Sequence, residues 1–147
     1  MTDQALLPGS NDEDAKPRLL VVEDDTLHRM MICRVAAMAG YVPAGAASYD
    51  EAARLLGKGP FACITLDLTL GLRTGADVLR HLATIGSTAH IIIISVRDEA
   101  DCASSVALAR SLGLNILDAM RKPIDPAELR ARLEALKSAD AAAPAAA

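Results

Sequence analysis

Three short apolar runs constrain this chain more than anything else in it: Leu19–Val22, Cys63–Leu66 and Ile91–Ile94. None alternates with polar residues, and all are rich in β-branched side chains. A strand with one wet face alternates, whereas a run that is apolar at every position suits a strand covered on both faces, as in a parallel sheet. Weaker strand candidates are Val42–Ala46 and Ile116–Met120. Helical patterns lie between the strands: Thr26–Ala39 stopping at Gly40, Tyr49–Leu56 at Gly57, Thr74–Ala83 near Gly86, and Asp98–Leu112 at Gly113. Capping residues open several of them and glycines close them, as helix punctuation requires. Asp125–Leu136 is the clearest, with Asp125 as cap, Pro126 in the first turn and Glu128 three residues after the cap. The order is β-α repeated five times. It predicts an α/β fold with a single five-stranded parallel sheet, doubly wound as a (βα)5 three-layer sandwich with right-handed crossovers.

Length sets the domain count. The 147 residues, 52% hydrophobic and 23% charged, suffice for one buried core and one domain. Residues 1–17 are polar and acidic and read as a disordered lead-in, 18–137 as the folded domain, and the Ala-rich 138–147 as a loose tail that extends the last helix at most to Pro144. The net charge of −4 offers no field for nucleic acid, so direct DNA binding is not expected. No apolar run has membrane-spanning length and the N-terminus lacks signal-peptide character, which predicts a cytoplasmic protein. Cys33, Cys63 and Cys102 are too widely spaced for a zinc site or a disulfide framework, and read as reduced core thiols. Met30, Met31, Val35 and Met38 read as the buried stripe of the first helix.

In doubly wound sheets, ligands sit at the carboxyl ends of the strands. Here those ends carry Glu23, Asp24 and Asp25 after the first strand, Asp67 after the third, Ser95 after the fourth, and Arg121, Lys122 and Pro123 after the fifth. Clustered carboxylates repel unless a cation or protons intervene. A hard divalent ion with oxygen ligands relieves that repulsion, and Mg2+ keeps water positions that an incoming phosphate can take. A lysine and a serine hydroxyl suit phosphoryl oxygens, and an aspartate can form an acyl phosphate. The set points to a metal-assisted phosphoryl site with Asp67 as acceptor.

With LLVVEDD (19–25), ITLDLTLGLRTG (64–75), IIIISV (91–96) and RKP (121–123) in this order, the sequence resembles the receiver domain of two-component response regulators. The resemblance covers 18–137 and implies a flavodoxin-like, CheY-like fold. It implies Asp67 as phosphoacceptor and Asp24 as a direct ligand of Mg2+ (or Mn2+), with Glu23 as second acid and the Thr69 backbone carbonyl completing the set. It implies Ser95 as switch hydroxyl, Lys122 as partner of Asp67 and then of the phosphoryl group, and a cis bond before Pro123. Gly75 matches the glycine that follows the phosphorylation loop. Thr69 and Arg97 fall where receivers adjust phosphoryl lifetime, and for Arg97 a solvated role stands beside that one. Asp25 reads as a solvated loop residue.

The sequence departs from the family at three places. Ala119 stands where many receivers carry an inward-swinging aromatic residue. Gly71 replaces a common proline, which predicts a more flexible loop. The stretch from Ser95 to Lys122 is about one helical turn longer than usual, similar to receivers fused to cyclic-di-GMP phosphodiesterases, although no such domain follows and the chain resembles a stand-alone receiver. The resemblance implies a phosphorylation switch and not an enzyme beyond its own phosphorylation and dephosphorylation. Its partners are a sensor histidine kinase or phosphotransfer protein, and a downstream protein met through the fourth helix, fifth strand and fifth helix. A phosphate sink or relay and a homodimer stay open. The alternative is a phosphate-independent binding module for a protein or a cyclic dinucleotide, the latter on Arg97 and Arg110. An aspartyl phosphatase is disfavoured because Thr69 occupies the place of its second aspartate, and a nucleotide oxidoreductase because GluAspAsp replaces the glycine-rich turn.

Overall fold

A computed structural model describes residues 16–70, 73–96, 98–117 and 119–142. The elements run β1 Arg18–Val22, α1 Thr26–Met38, β2 Val42–Ala46, α2 Tyr49–Leu56, β3 Cys63–Leu66, β4 Thr69–Leu70, β5 Arg73–Thr74, α3 Gly75–Thr84, β6 His90–Ser95, α4 Glu99–Ser111, β7 Asn115–Ile116, β8 Met120–Arg121 and α5 Pro126–Ala142. The central sheet has the order β2-β1-β3-β6-β7, with β8 also on β6, and every pairing is parallel.

The apolar runs behave as their lack of alternation requires. Leu20, Val22, Ile64, Leu66 and Ile91 face one layer, with Ala52 and Leu56 of α2, Val78, Leu79 and Leu82 of α3, and Ala109 of α4. Their strand neighbours Leu19, Val21, Cys63, Ile92 and Ile94 face the other, with Ile32, Val35 and Ala36 of α1 and Leu129 and Leu133 of α5. Adjacent residues of one strand therefore enter different cores, the signature of a sheet covered on both faces. Cys63 and Cys102 are buried and reduced, and Cys33 is half-buried. Burial pushes the Cys63 thiol up to about 12.

Three expectations need correction. The fifth strand is not one piece over Ile116–Met120. Ile116 pairs with Ile91 and Met120 with Ile94, so the numbering advances by four on this side and by three on β6. One residue is in excess, and the ladder breaks there as at a bulge. The last helix runs on past Leu136 to Ala142, within the extension that Pro144 allows, where alanine favours helix and His90 Nε2 meets Asp140 Oδ1 at 3.0 Å. The stripe of Met30, Met31, Val35 and Met38 is only half a core stripe: Val35 is buried and Met31 packs against the core, but Met30 and Met38 are exposed, and Ile32 and Ala36 turn inward instead. Asp25 is exposed but is not an idle loop residue, since its Oδ1 accepts from the His28 amide at 2.9 Å and caps α1. That amide also holds its carboxyl below the usual range. Asp98 caps α4 as expected, accepting from Asp101 N at 2.8 Å.

Candidate functional site

The parallel sheet sets the site. β1 and β3 are neighbours in register, with Val22 beside Leu66. Their next residues, Glu23–Asp24 and Asp67, therefore leave the sheet side by side. β6 lies beyond β3, and β8 beyond β6 with Ser95 beside Arg121. The Lys122 amide continues this ladder by donating to Ser95 O at 3.0 Å. The Lys122–Pro123 bond is cis, as the resemblance implies.

Lys122 Nζ lies 2.7 Å from Glu23 Oε1 and 3.3 Å from Asp67 Oδ2, and all three side chains are nearly inaccessible. Glu23 Oε2 accepts from the Asp25 amide at 3.1 Å, and Asp67 Oδ1 from the Thr69 amide at 3.1 Å. Carboxylate oxygens of Glu23, Asp24 and Asp67 lie within 4.8 Å of one another, with Asp24 exposed and the other two buried. Burial raises the Glu23 carboxyl against the pull of Lys122, and the neighbouring Asp67 charge adds to the rise. For Lys122, burial works against its charge, but Glu23 and Asp67 outweigh it and the ammonium is held above its ordinary range. Three carboxylates facing one ammonium leave an excess of negative charge. Glu23 Oε1, buried, has the ion pair but no directed hydrogen bond. A hard divalent cation fits this donor set.

The loop after Asp67 is anchored by close backbone contact. A Cβ on Gly75 would meet Leu68 Cα and Cδ2 at 2.9 Å and the Asp67 carbonyl oxygen at 3.1 Å, and the Gly75 amide donates to Leu68 O at 3.0 Å. The start of α3 can reach Asp67 and Leu68 only because residue 75 lacks a side chain. Between them, β4 and β5 pair antiparallel, Thr69 with Thr74 and Leu70 with Arg73. Gly71 and Arg97, singled out in the sequence, lie outside the described residues.

Ser95 is fully buried at the end of β6. Ala119 is half-buried against Leu68, Ile93 and Cys102. It lines a concavity of about 540 Å3 with Glu99, Cys102, Val106, Arg110 and Arg132. A neighbouring one of about 450 Å3 opens between α4, β7 and α5 and shares both arginines. A third, of about 300 Å3, opens beside Asp24 and is lined by Ser48, Tyr49, Asp50, Leu70 and Arg73.

Sequence reasoning missed two arginines, which carry no motif and read as solvated helix faces. The Arg73 guanidinium lies 4.1 Å over the Tyr49 ring, tying β5 to α2. Arg29 Nη1 donates to the carbonyl oxygens of Glu23 at 2.9 Å and Asp24 at 3.4 Å.

Comparison with known proteins agrees with this fold. The family model described as the response regulator receiver domain matches residues 19–134. The phosphate regulon transcriptional regulatory protein PhoB of Escherichia coli is 32% identical over 119 residues, covering 81% of this chain and 51% of PhoB. The chain thus spans about half the length of the curated relatives it matches. A response regulator from Colwellia psychrerythraea superposes with a TM-score of 0.72 at 28% identity, covering 84% of this chain and 98% of that one. The Francisella response regulator 1452 receiver domain gives a TM-score of 0.72 at 21% identity, covering 85% and 99%.

Proposed function

The chain belongs to the response regulator receiver domain family, and from that premise we propose that it is a phosphorylation switch in which Asp67 accepts a phosphoryl group from a sensor histidine kinase or phosphotransfer protein. One observation carries the reading: Lys122 Nζ is held between Glu23 and Asp67 while carboxylate oxygens of Glu23, Asp24 and Asp67 converge at the strand ends. Asp24 and Asp67 would hold Mg2+ (or Mn2+) directly, with the Thr69 carbonyl and with Glu23 as the second acid. When bound, the ion neutralises charge on the phosphoryl oxygens and orients them.

The chain's own groups supply the rest. A carboxylate oxygen of Asp67 attacks phosphorus as the phosphorus–nitrogen bond of a phosphoimidazole breaks. The electron pair leaves with the imidazole, which takes up a proton. The Thr69 amide fixes the Asp67 carboxylate by its Oδ1. Lys122, released from Asp67 Oδ2, then holds a phosphoryl oxygen. The Ser95 hydroxyl, buried beside the same strand ends, donates to another. A downstream protein reads the result on the face formed by α4, β7, β8 and α5, where the concavities of about 540 and 450 Å3 lie. Among the described residues no helix is long and apolar enough to cross a membrane.

The test is intact-mass spectrometry after incubation with acetyl phosphate and Mg2+, beside Asp67→Asn. One phosphoryl group on the wild type and none on the variant is expected. Equal labelling of the variant refutes Asp67 as acceptor. No adduct on the folded wild type, together with no beryllofluoride binding, refutes the switch.

A further inference from the structure

We propose that Arg29 is a positioning residue for the cation-binding acids, acting through the backbone of Glu23 and Asp24. The inference rests on the reading of those acids as a divalent-cation site. Arg29 lies in the first turns of α1, and its guanidinium reaches back over the end of β1. Nη1 donates to Glu23 O at 2.9 Å and approaches Asp24 O at 3.4 Å. The paired register of β1 with both neighbours ends at Val22, and the Glu23 amide donates the last rung, to Ala46 O at 2.9 Å. Beyond it, the guanidinium takes the place of a strand partner for the next two carbonyls. These are the peptides whose side chains enter the acid cluster, so fixing them fixes where the carboxylates point. The Asp25 amide completes the arrangement from the other side by donating to Glu23 Oε2 at 3.1 Å.

A second observation is independent of those hydrogen bonds. A Cβ on Gly45, in β2, would meet Arg29 Cδ at 3.1 Å and Cγ at 3.2 Å. Gly45 is exposed, so packing of a core does not require a glycine there. Its lack of a side chain leaves a lane across β2 in which the arginine stem lies, which puts the guanidinium over the two carbonyls.

Charge and positioning predict opposite signs. A guanidinium on the backbone of two of these acids carries a positive charge that opposes a divalent cation, so removing its charge alone should tighten binding. Removing a clamp on the ligand-bearing backbone should weaken it. Titration calorimetry of the full chain with Mg2+, without any phosphodonor, separates the two. Arg29→Met keeps the stem and loses the donors, and is expected to weaken Mg2+ by about tenfold. Arg29→Lys keeps the charge with a single donor group and falls between. Unchanged or tighter binding in Arg29→Met overturns the inference. Should that variant not fold, Gly45→Val displaces the stem while keeping the charge: weaker binding supports the clamp and unchanged binding overturns it. If Arg29→Met binds like the wild type while Asp24→Ala loses the ion, the inference alone fails. If the folded wild type binds no Mg2+, the cation site fails and the inference with it.

Discussion

Replacing Lys122 with methionine removes the ammonium from between two buried carboxylates and leaves a chain of similar length in its place. At an effective dielectric constant near 20, the contacts of 2.7 Å to Glu23 and 3.3 Å to Asp67 correspond to about 6 and about 5 kcal/mol of Coulomb attraction. The ammonium's own desolvation cost offsets much of this, and the net loss expected for breaking a buried pair is about 3–5 kcal/mol. The loss should depend on pH with a definite sign. Burial already raises Glu23 above its ordinary 4.5, and the Asp67 charge adds to it. A carboxyl raised on folding contributes stability below its unfolded value and loses it as pH rises through the folded one. Without Lys122 the rise grows, so the deficit should be smaller at about pH 5 than at about pH 8. Mg2+ should restore part of it at the higher pH, because a ligand of the folded state stabilises that state. Urea unfolding at both pH values, with and without Mg2+, checks this. A deficit equal at both pH values, and indifferent to Mg2+, would refute the argument that uncompensated carboxylates cause it.

Two further perturbations test the loop that carries Asp67. Gly75→Ala places a methyl 2.9 Å from the Leu68 Cα, which cannot turn aside as a flexible side chain can. A cost of about 1–3 kcal/mol, at about 2–4 °C of melting temperature per kcal/mol, should appear in calorimetry together with slower labelling of Asp67. Arg73→Leu removes the guanidinium from the Tyr49 ring. A double-mutant cycle with Tyr49→Leu should give a coupling of about 0.5–1 kcal/mol, and zero coupling would show that the stacking does not hold the loop.

The sheet was legible because its evidence is local. A run such as IIII at 91–94 admits few roles, and once three such runs and two weaker candidates alternate with capped helices a doubly wound parallel sheet follows. The strand ends then place Glu23, Asp24, Asp67 and Lys122 together without any knowledge of distance. What stayed illegible depends on pairing between distant residues. The break between Ile116 and Met120 shows in the register, which advances by four residues here and by three on β6, and no pattern in Asn115–Arg121 encodes that offset. Arg29 resembles any helix arginine until its carbonyl partners and the lane at Gly45 are seen. The methionines of α1 misled for a related reason. Their spacing with Val35 fits a buried face, but Ile32 and Ala36 with Val35 fit one as well, and only docking against the sheet decides which face turns in.

The acid cluster and Thr65 show two different fates for a buried polar atom. Glu23 Oε1 is buried without a directed hydrogen bond, yet it faces Lys122 and the other carboxylates, where a cation has a use for it. Thr65 sits two residues earlier than Asp67 on β3, is 1% exposed, and is flanked in register by Val21 and Ile92. Its Oγ1 has no hydrogen-bond partner. An unsatisfied buried hydroxyl costs about 1–3 kcal/mol, and valine has nearly the same shape and suits a strand interior. Thr65→Val should therefore stabilise the protein by about 1 kcal/mol, raising its melting temperature by about 2–4 °C. Labelling of Asp67 should be unchanged, because a methyl between Val21 and Ile92 leaves the strand ends where they are. Thermal unfolding with a parallel labelling assay reads both. A fall in stability would mean that the hydroxyl is satisfied. Slower labelling at unchanged or higher stability would mean that Thr65 belongs to the site and not only to the core beneath it.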